Sequence, residues 1–374
     1  MRYFMQYLKT SNVNLIKDMG MIPYLLHKKY GYDSTVVTYK NGEYKYLQDE
    51  VKGLKLKFVK KIFNSYSLDG ALHLLKHGKN MDVMQVFHVT LSSVVYVYSY
   101  KFKNKAGKVY LKLDCSHKLL ERIKELNKIQ LYFLNKFFNK VDLISIEQEE
   151  LYYRLKKILG KHESKIINIP NGIDFEVLKS KGLCYDFSKK ENVILNVARI
   201  GTEEKNTPML LEAFANIKNI ENLGWKLKLV GTVEEEFKPY IEQYFKRYPK
   251  LIDNVIFLGE MSDRNEIFHE YCKAKIFSLT SKFESFGIVF IEAAAMGNVI
   301  VSTDVGIAKE LISDENGKLV NPGDVDELTK GFEKYINENN LQKYADETYN
   351  ICKRRFDWNI IIEMLNDNII KIMK

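Results

Sequence analysis

The segment Ser281-Lys282-Phe283-Glu284-Ser285-Phe286-Gly287-Ile288-Val289-Phe290-Ile291-Glu292-Ala293-Ala294-Ala295-Met296-Gly297 follows a short apolar run at 276–279. It passes from a polar loop into an apolar, alanine-rich stretch, so the order is strand, loop, helix, the repeating unit of a parallel α/β sheet. We place the helix start near Ser285. On a helix, Glu284 and Glu292 lie about 12 Å apart along the axis and about 80° apart around it. Carboxylates at that spacing suit hydroxyls at the two ends of an elongated ligand. The helix N-terminus would then face its phosphates, because free N–H groups and the helix dipole favour anions there. Gly287 lets a backbone approach closely, and the three alanines allow tight packing on a sheet. An amphipathic helix opened by a capping glutamate fits the same letters, so neighbouring segments have to decide.

The alternation extends both ways. Beyond residue 190 strands are expected at 193–197, 226–230, 255–258, 276–279 and 299–302, each followed by a helical pattern. Before it they are expected at 1–7, 34–38, 83–88, 108–113, 141–146 and 164–169, with a turn at Gly20, a helix near 21–30 and one long helix over 119–140. The polar stretch 179–191 reads as the junction. The predicted domains are 1–185, with about 356–374 returning to it, and 186–355.

Composition narrows the class. The chain has 374 residues, 46% hydrophobic and 28% charged, enough for two packed cores and too apolar for disorder. No apolar run is long enough to span a bilayer, and the first residues lack a signal-peptide pattern, so a soluble cytoplasmic protein is expected. Cys115, Cys184, Cys272 and Cys352 are scattered and form no zinc or disulfide spacing. Residues 1–190 sum to +16 and residues 191–374 to −7, which gives the +9 of the whole chain. The lysines of the first half come singly, without a nucleic-acid reading module, so nucleic acid is not expected. Solvated edges account for part of this charge, and an anionic membrane or acidic acceptor is the alternative.

A second motif follows the first strand of the second half. Arg199 and Lys205 bracket Gly201 in a loop that opens a helix with Pro208 in its first turn. Two fixed cations suit a departing diphosphate, because charge builds on it as the glycosidic bond breaks. Asn171-Gly172-Ile173-Asp174 precedes this loop, and Asn316-Gly317 with Pro322-Gly323-Asp324 follows the glutamates.

Over roughly residues 165–330 these elements, in this order, resemble the retaining glycosyltransferases of family 4 (glycosyltransferase group 1). The resemblance implies the GT-B fold: two Rossmann-like doubly wound α/β domains with a cleft between them, and a C-terminal helix crossing back to the first domain after Phe356-Asp357-Trp358. It implies donor diphosphate on Arg199 and Lys205, donor sugar at Glu284, and sugar or phosphate contacts around Ser285, Phe286, Gly287 and Ile288. Glu292 would take the ribose hydroxyls, Gly231 and Met261 would line the nucleoside, and Gly20 would stand where the family has a glycine-rich loop. The chain departs from the family pattern in having one glycine in that loop and Ile307 after Gly306.

For acceptor and catalytic groups the first domain offers Asp114, His88 and His117 at strand ends, where ligands gather in open α/β sheets. Asp114 reads equally as a helix N-cap. Asp324-Val325-Asp326 spells a metal-binding D-x-D but sits where an N-cap belongs, so no cofactor and no essential metal is expected. The basic helix over 119–140 suits an anionic membrane or, more simply, packing on a sheet. The expected function is retaining, metal-independent transfer of a hexose from a nucleotide-diphosphate sugar, a UDP-sugar, to a glycan or lipid-linked, anionic acceptor. Surface-polysaccharide assembly at the inner face of the plasma membrane is the implied setting. The rival from another class is a non-catalytic GT-B scaffold that binds a nucleotide sugar or glycan.

Overall fold

The computed structural model describes residues 1–114 and 118–374. Two compact units emerge: Met1–Asn171 with Asn359–Lys374, and Gly172–Trp358. The division falls at Asn171/Gly172 rather than near 185. Ile173 pairs with Asp357, and Leu178 and Leu183 pack into the core of the second unit, so the segment before the polar junction already belongs there.

The first unit is a seven-stranded parallel sheet. Its strands are β1 (Arg2–Gln6), β2 (Asp33–Thr38), β3 (Lys55–Phe58), β4 (Val83–Phe87), β5 (Lys108–Leu113), β6 (Leu143–Ile146) and β7 (Ile166–Asn168), in the order β3-β2-β1-β4-β5-β6-β7. The second is a six-stranded parallel sheet of β8 (Glu191–Val197), β9 (Lys226–Val230), β10 (Val255–Gly259), β11 (Ala274–Phe277), β12 (Val299–Thr303) and β13 (Gly317–Val320), in the order β10-β9-β8-β11-β12-β13. The inner strands are buried on both faces because helices cover both sides, as in other parallel sheets. Each sheet reverses its winding once, between β1 and β4 and between β8 and β11. At such switch points the loops beyond the strand ends diverge and leave a crevice for ligands.

Four local expectations are corrected. Gly20 is not in a turn but in the first turn of helix Asp18–Tyr30. A Cβ there would lie 2.1 Å from the Leu15 carbonyl, so glycine permits the close packing of this helix on the preceding segment. The single helix over 119–140 is two, Lys118–Lys124 and Lys128–Lys140. Asn127 breaks it with a capping box: its side chain accepts from Gln130 N at 2.9 Å, and the Gln130 side chain accepts from Asn127 N at 2.9 Å. Strands β3 and β13 lacked an apolar signature strong enough to be read. The helix expected from Ser285 starts at Ile288 and runs to Ala295, with Gly287 as its N-cap at φ +80°. Glu284 therefore stands in the preceding loop, and the helical geometry assumed for the two glutamates does not hold.

The C-terminal helix Trp358–Met373 packs within the first unit through Ile361, Ile362, Leu365 and Ile369, and Tyr32 donates to Asn366 at 2.8 Å. Among the described residues no helix is long and apolar enough to cross a membrane.

Candidate functional site

The second unit brings its predicted residues together at the β8/β11 switch point. The chain leaves β8 through Ala198 and Arg199, turns at Gly201 (φ +93°), and enters helix Thr207–Ala215 after Asn206, which adopts φ +49°. It leaves β11 through Ser278–Ser281 and reaches Glu284. Thr280 ties the two loops by donating to the carbonyls of Lys205 and Asn206 at 3.1 Å each. Thr303, at the end of β12, donates to the Ser281 carbonyl at 2.8 Å.

Between these loops Lys205 Nζ lies 2.6 Å from Glu284 Oε1 and 3.0 Å from Glu204 Oε1. An ammonium has three protons, so a third donor remains for a ligand. Glu284 Oε1 also accepts from Ser281 Oγ at 2.7 Å. Among the described residues both contacts fall on Oε1, which leaves Oε2 as an acceptor for a hydroxyl. Among the described residues Arg199 pairs with Glu204 at 3.6 Å, and its side chain is 61% exposed, so it can swing onto an anion. Behind Glu284, Gly306 (φ +59°) backs directly on the loop: a Cβ there would lie 2.4 Å from the Phe286 carbonyl and 3.0 Å from Glu284 Cβ. Ile307 N donates to that same carbonyl at 3.0 Å.

Glu292 sits on the helix that Gly287 opens and is buried. Arg264 reaches its Oε1 at 3.0 Å and Tyr271 donates to Oε2 at 3.3 Å. Burial and the neighbouring carboxylate push the Tyr271 phenol well above its usual range, so it stays a donor. Each Glu292 oxygen keeps a lone pair for a further donor, as two vicinal hydroxyls would require. Gly231 follows β9 at φ +141°, and a Cβ there would lie 1.9 Å from the Ala198 carbonyl, so only glycine lets these two loops meet. Met261, beyond β10, packs on the same core as Phe286 and Phe290.

The remaining predicted residues belong to the first unit. His88 ends β4 with φ +54°, a strained conformation for a non-glycine residue. With Tyr7, Lys9, Tyr66, Phe87 and Thr90 it lines a pocket of about 110 Å³ at the β1/β4 switch point. Asp114 ends β5 in a buried polar cluster that sequence reasoning missed. Lys112, fully buried within β5, lies 3.1 Å from Glu147 and 3.3 Å from Asp18, and donates to the Ile169 carbonyl at 3.1 Å. Asn171 donates to Glu147 at 2.6 Å. Burial pushes the Glu147 carboxyl well above its usual range despite Lys112, with Asp114 and Asp18 adding to the rise. The signal available was a lysine inside the apolar run of β5. His117 lies outside the described residues. Asp324 is the N-cap of helix Val325–Ile336, its side chain accepting from Glu327 N at 2.9 Å.

Arg264, Tyr271 and Gly306 escaped sequence reasoning because each lies on a different element from the group it supports. Ser281 and Glu204 stand in the same loops as Glu284 and Lys205 and carried no motif signal of their own.

Residues 185–350 match the family model described as "Glycosyl transferases group 1". Among curated relatives, the "Phosphatidyl-myo-inositol mannosyltransferase" of Mycobacterium leprae (strain TN) is 25% identical over 208 residues, 54% of this chain and 52% of that protein. The "Capsular polysaccharide biosynthesis glycosyltransferase CapM" of Staphylococcus aureus is 29% identical over 238 residues, 60% of each. The chain thus spans between half and three-fifths of the length of these two relatives. Among solved structures, Anabaena Alr3699/HepE in complex with UDP superposes with a TM-score of 0.75 at 17% identity, covering 99% of this chain and 100% of that one. The "lipopolysaccharide outer core galactosyltransferase WaaB" in its apo form gives 0.72 at 16% identity, covering 99% of each. These likenesses, with the two parallel sheets described above, show the GT-B fold.

Proposed function

From a chain whose residues 185–350 match the glycosyl transferases group 1 family model, we propose a retaining, metal-independent glycosyltransferase. It moves a hexose from a nucleotide-diphosphate sugar, a UDP-sugar, to a glycan or lipid-linked acceptor in surface-polysaccharide assembly. The observation that carries this reading is the Lys205–Glu284–Ser281 cluster at the switch point, with one ammonium proton and one carboxylate oxygen left for a ligand. The relative named for capsular polysaccharide biosynthesis, the relative named for phosphatidyl-myo-inositol mannosylation, and the neighbour holding UDP support the donor and acceptor classes.

The chemistry follows from the charges. As the bond between the anomeric carbon and the diphosphate breaks, negative charge grows on the leaving oxygen and positive charge on the sugar ring. Lys205 and Arg199 meet the first, with the N–H groups at the start of helix Ile288–Ala295. Glu284 orients a sugar hydroxyl through Oε2, and its negative charge lies on the side of the ring that becomes positive. Retention follows if the acceptor hydroxyl enters on the face the diphosphate leaves. Two cations at the diphosphate do the work a divalent ion would otherwise do. Glu292, steadied by Arg264 and Tyr271, takes the ribose hydroxyls. Asp114 and His88 are assigned to the acceptor side, with His117 as the family resemblance implies, and Gly20 to the donor side, where the family's glycine-rich loop stands near the phosphates.

Thermal shift against UDP, GDP and ADP and their sugar conjugates, with and without EDTA, tests the donor site. Stabilisation by the uridine series, unchanged by EDTA, is expected. Glu284→Gln and Lys205→Ala are each expected to lower kcat by roughly 10²-fold or more while UDP still binds to Glu284→Gln. Full transfer activity in either variant would refute the site. UDP-sugar binding with no transfer to any acceptor would favour the scaffold.

A further inference from the structure

Helix Leu91–Lys103 is apolar on two opposite sides. Its inner side buries Tyr96, Val97 and Tyr100. On the outer side Leu91, Tyr98 and Phe102, spaced i, i+7, i+11, fall within about 40° of one another, and they are 76%, 41% and 78% exposed. A helix apolar all round belongs in an interior or against a partner surface. Helix Lys128–Lys140 repeats the pattern. Phe137 and Phe138 are buried, while Ile129, Tyr132 and Phe133, at i, i+3, i+4, are 69%, 55% and 63% exposed. The two helices pack on one another, so their outer stripes adjoin, and Lys136 stands 4.6 Å over the Tyr132 ring. Helix Tyr66–His77, whose Gly70 abuts the Tyr96 ring, adds exposed Leu68 and Leu75 at i, i+7.

We propose that the outer sides of helices Leu91–Lys103 and Lys128–Lys140, flanked by Tyr66–His77, form a docking surface for an anionic lipid bilayer. Charge selects this occupant. Neither Leu91–Lys103 nor Lys128–Lys140 contains an acidic residue, and the stripe of the second continues along the same face into exposed Lys136 and Lys140. Lys101 is engaged by Asp142 at 2.7 Å and is not counted. A second copy meeting this face about a two-fold axis would set lysine against lysine with no acid on either of these two helices to relieve it. A phosphate-rich interface instead takes the ammonium groups at the headgroups, the phenol tips of Tyr98 and Tyr132 beside them, and Leu91, Phe102, Ile129 and Phe133 below. The surface deepens, and rests on, the lipid-linked-acceptor reading proposed above, since it brings the enzyme to the plane where such an acceptor lies.

The test is co-sedimentation of the full chain with phosphatidylcholine vesicles containing about 30% phosphatidylglycerol, and with phosphatidylcholine alone. Sedimentation with the anionic vesicles only, weakened by salt, is expected. The triple variant Phe102→Ser, Ile129→Ser, Phe133→Ser should lower the partition at least tenfold. Lys128→Gln, Lys136→Gln and Lys140→Gln should each lower it roughly fivefold. These residues are exposed, so the variants should fold, and an unchanged thermal shift with UDP confirms that they have. Two results would overturn the proposal: wild-type protein that stays in the supernatant with anionic vesicles, and a triple variant that sediments like wild type. A wild-type dimer split by the triple variant, without vesicle binding, would assign the surface to a second copy instead. The functional reading fails separately: Glu284→Gln should keep vesicle binding and lose transfer.

Discussion

Replacing Lys112 with methionine removes the cation that, among the described residues, holds the carboxyl groups of Asp18 and Glu147 in a buried cluster. At an effective dielectric constant of 20, contacts of 3.1 and 3.3 Å are each worth about 5 kcal/mol of attraction. Desolvation of all three groups offsets most of this, since Lys112 is 0%, Glu147 1% and Asp18 6% exposed at the side chain. What the substitution leaves is two buried carboxyl groups without their counter-ion, a loss of about 3–5 kcal/mol. For a unit of this size that corresponds to roughly 10 °C in Tm. The loss depends on pH. Burial already raises Asp18 and Glu147, and Lys112 holds them down. Without the lysine both rise further, so folding of the variant requires proton uptake at neutral pH, and its stability falls as pH climbs above the usual carboxylate range. Differential scanning calorimetry at pH 8 and pH 5 reads this directly. The transition of the first unit should drop by roughly 10 °C at pH 8 and by clearly less at pH 5, and adding Asp18→Asn and Glu147→Gln should restore most of the loss. A drop under about 2 °C at pH 8, or one of equal size at both pH values, would show that Lys112 does not neutralise this cluster.

His73, buried against Gln6, has its pKa pushed down to about 3, chiefly by burial and then by Lys57 and His77. Below pH 6.5 the unfolded chain therefore takes up a proton that the folded chain refuses, and stability falls as pH falls from 6.5 towards 3. At pH 5 the cost is about 2 kcal/mol, and His73→Gln should remove it, flattening the acid limb of a Tm-against-pH curve. Gly306→Ala places a methyl group against the Phe286 carbonyl in a left-handed conformation, so the Glu284 loop must shift. Transfer should fall by an order of magnitude or more while the circular dichroism spectrum stays native, and a variant with wild-type kcat would free the loop from Gly306.

Both halves of the fold were legible because parallel strands covered on both faces write themselves as short apolar runs, as at 83–88 and 193–197. The exceptions have local causes. In β3 two lysines alternate with apolar residues, and a four-residue run with that pattern also suits a loop. The break at Asn127 depends on a reciprocal pair of hydrogen bonds whose letters, Asn and Gln three apart, also suit a helix surface. In the second unit Arg199, Lys205, Glu284 and Glu292 could be read because each follows a strand within one βα unit, where sequence order and spatial order coincide. Arg264 could not be, since its partner Glu292 lies beyond a strand and a loop. Lys112, Asp18 and Glu147 converge from β5, the start of a helix and the end of β6, and only Lys112 left a trace, as a charge inside an apolar strand. The exposed stripes on Leu91–Lys103 and Lys128–Lys140 were hidden for the opposite reason. Their residues read as core, and nothing in the letters distinguishes the apolar side that a helix turns to the sheet from a second one turned outward. Exposure makes that distinction, and the missing acids say which surroundings such a side can meet.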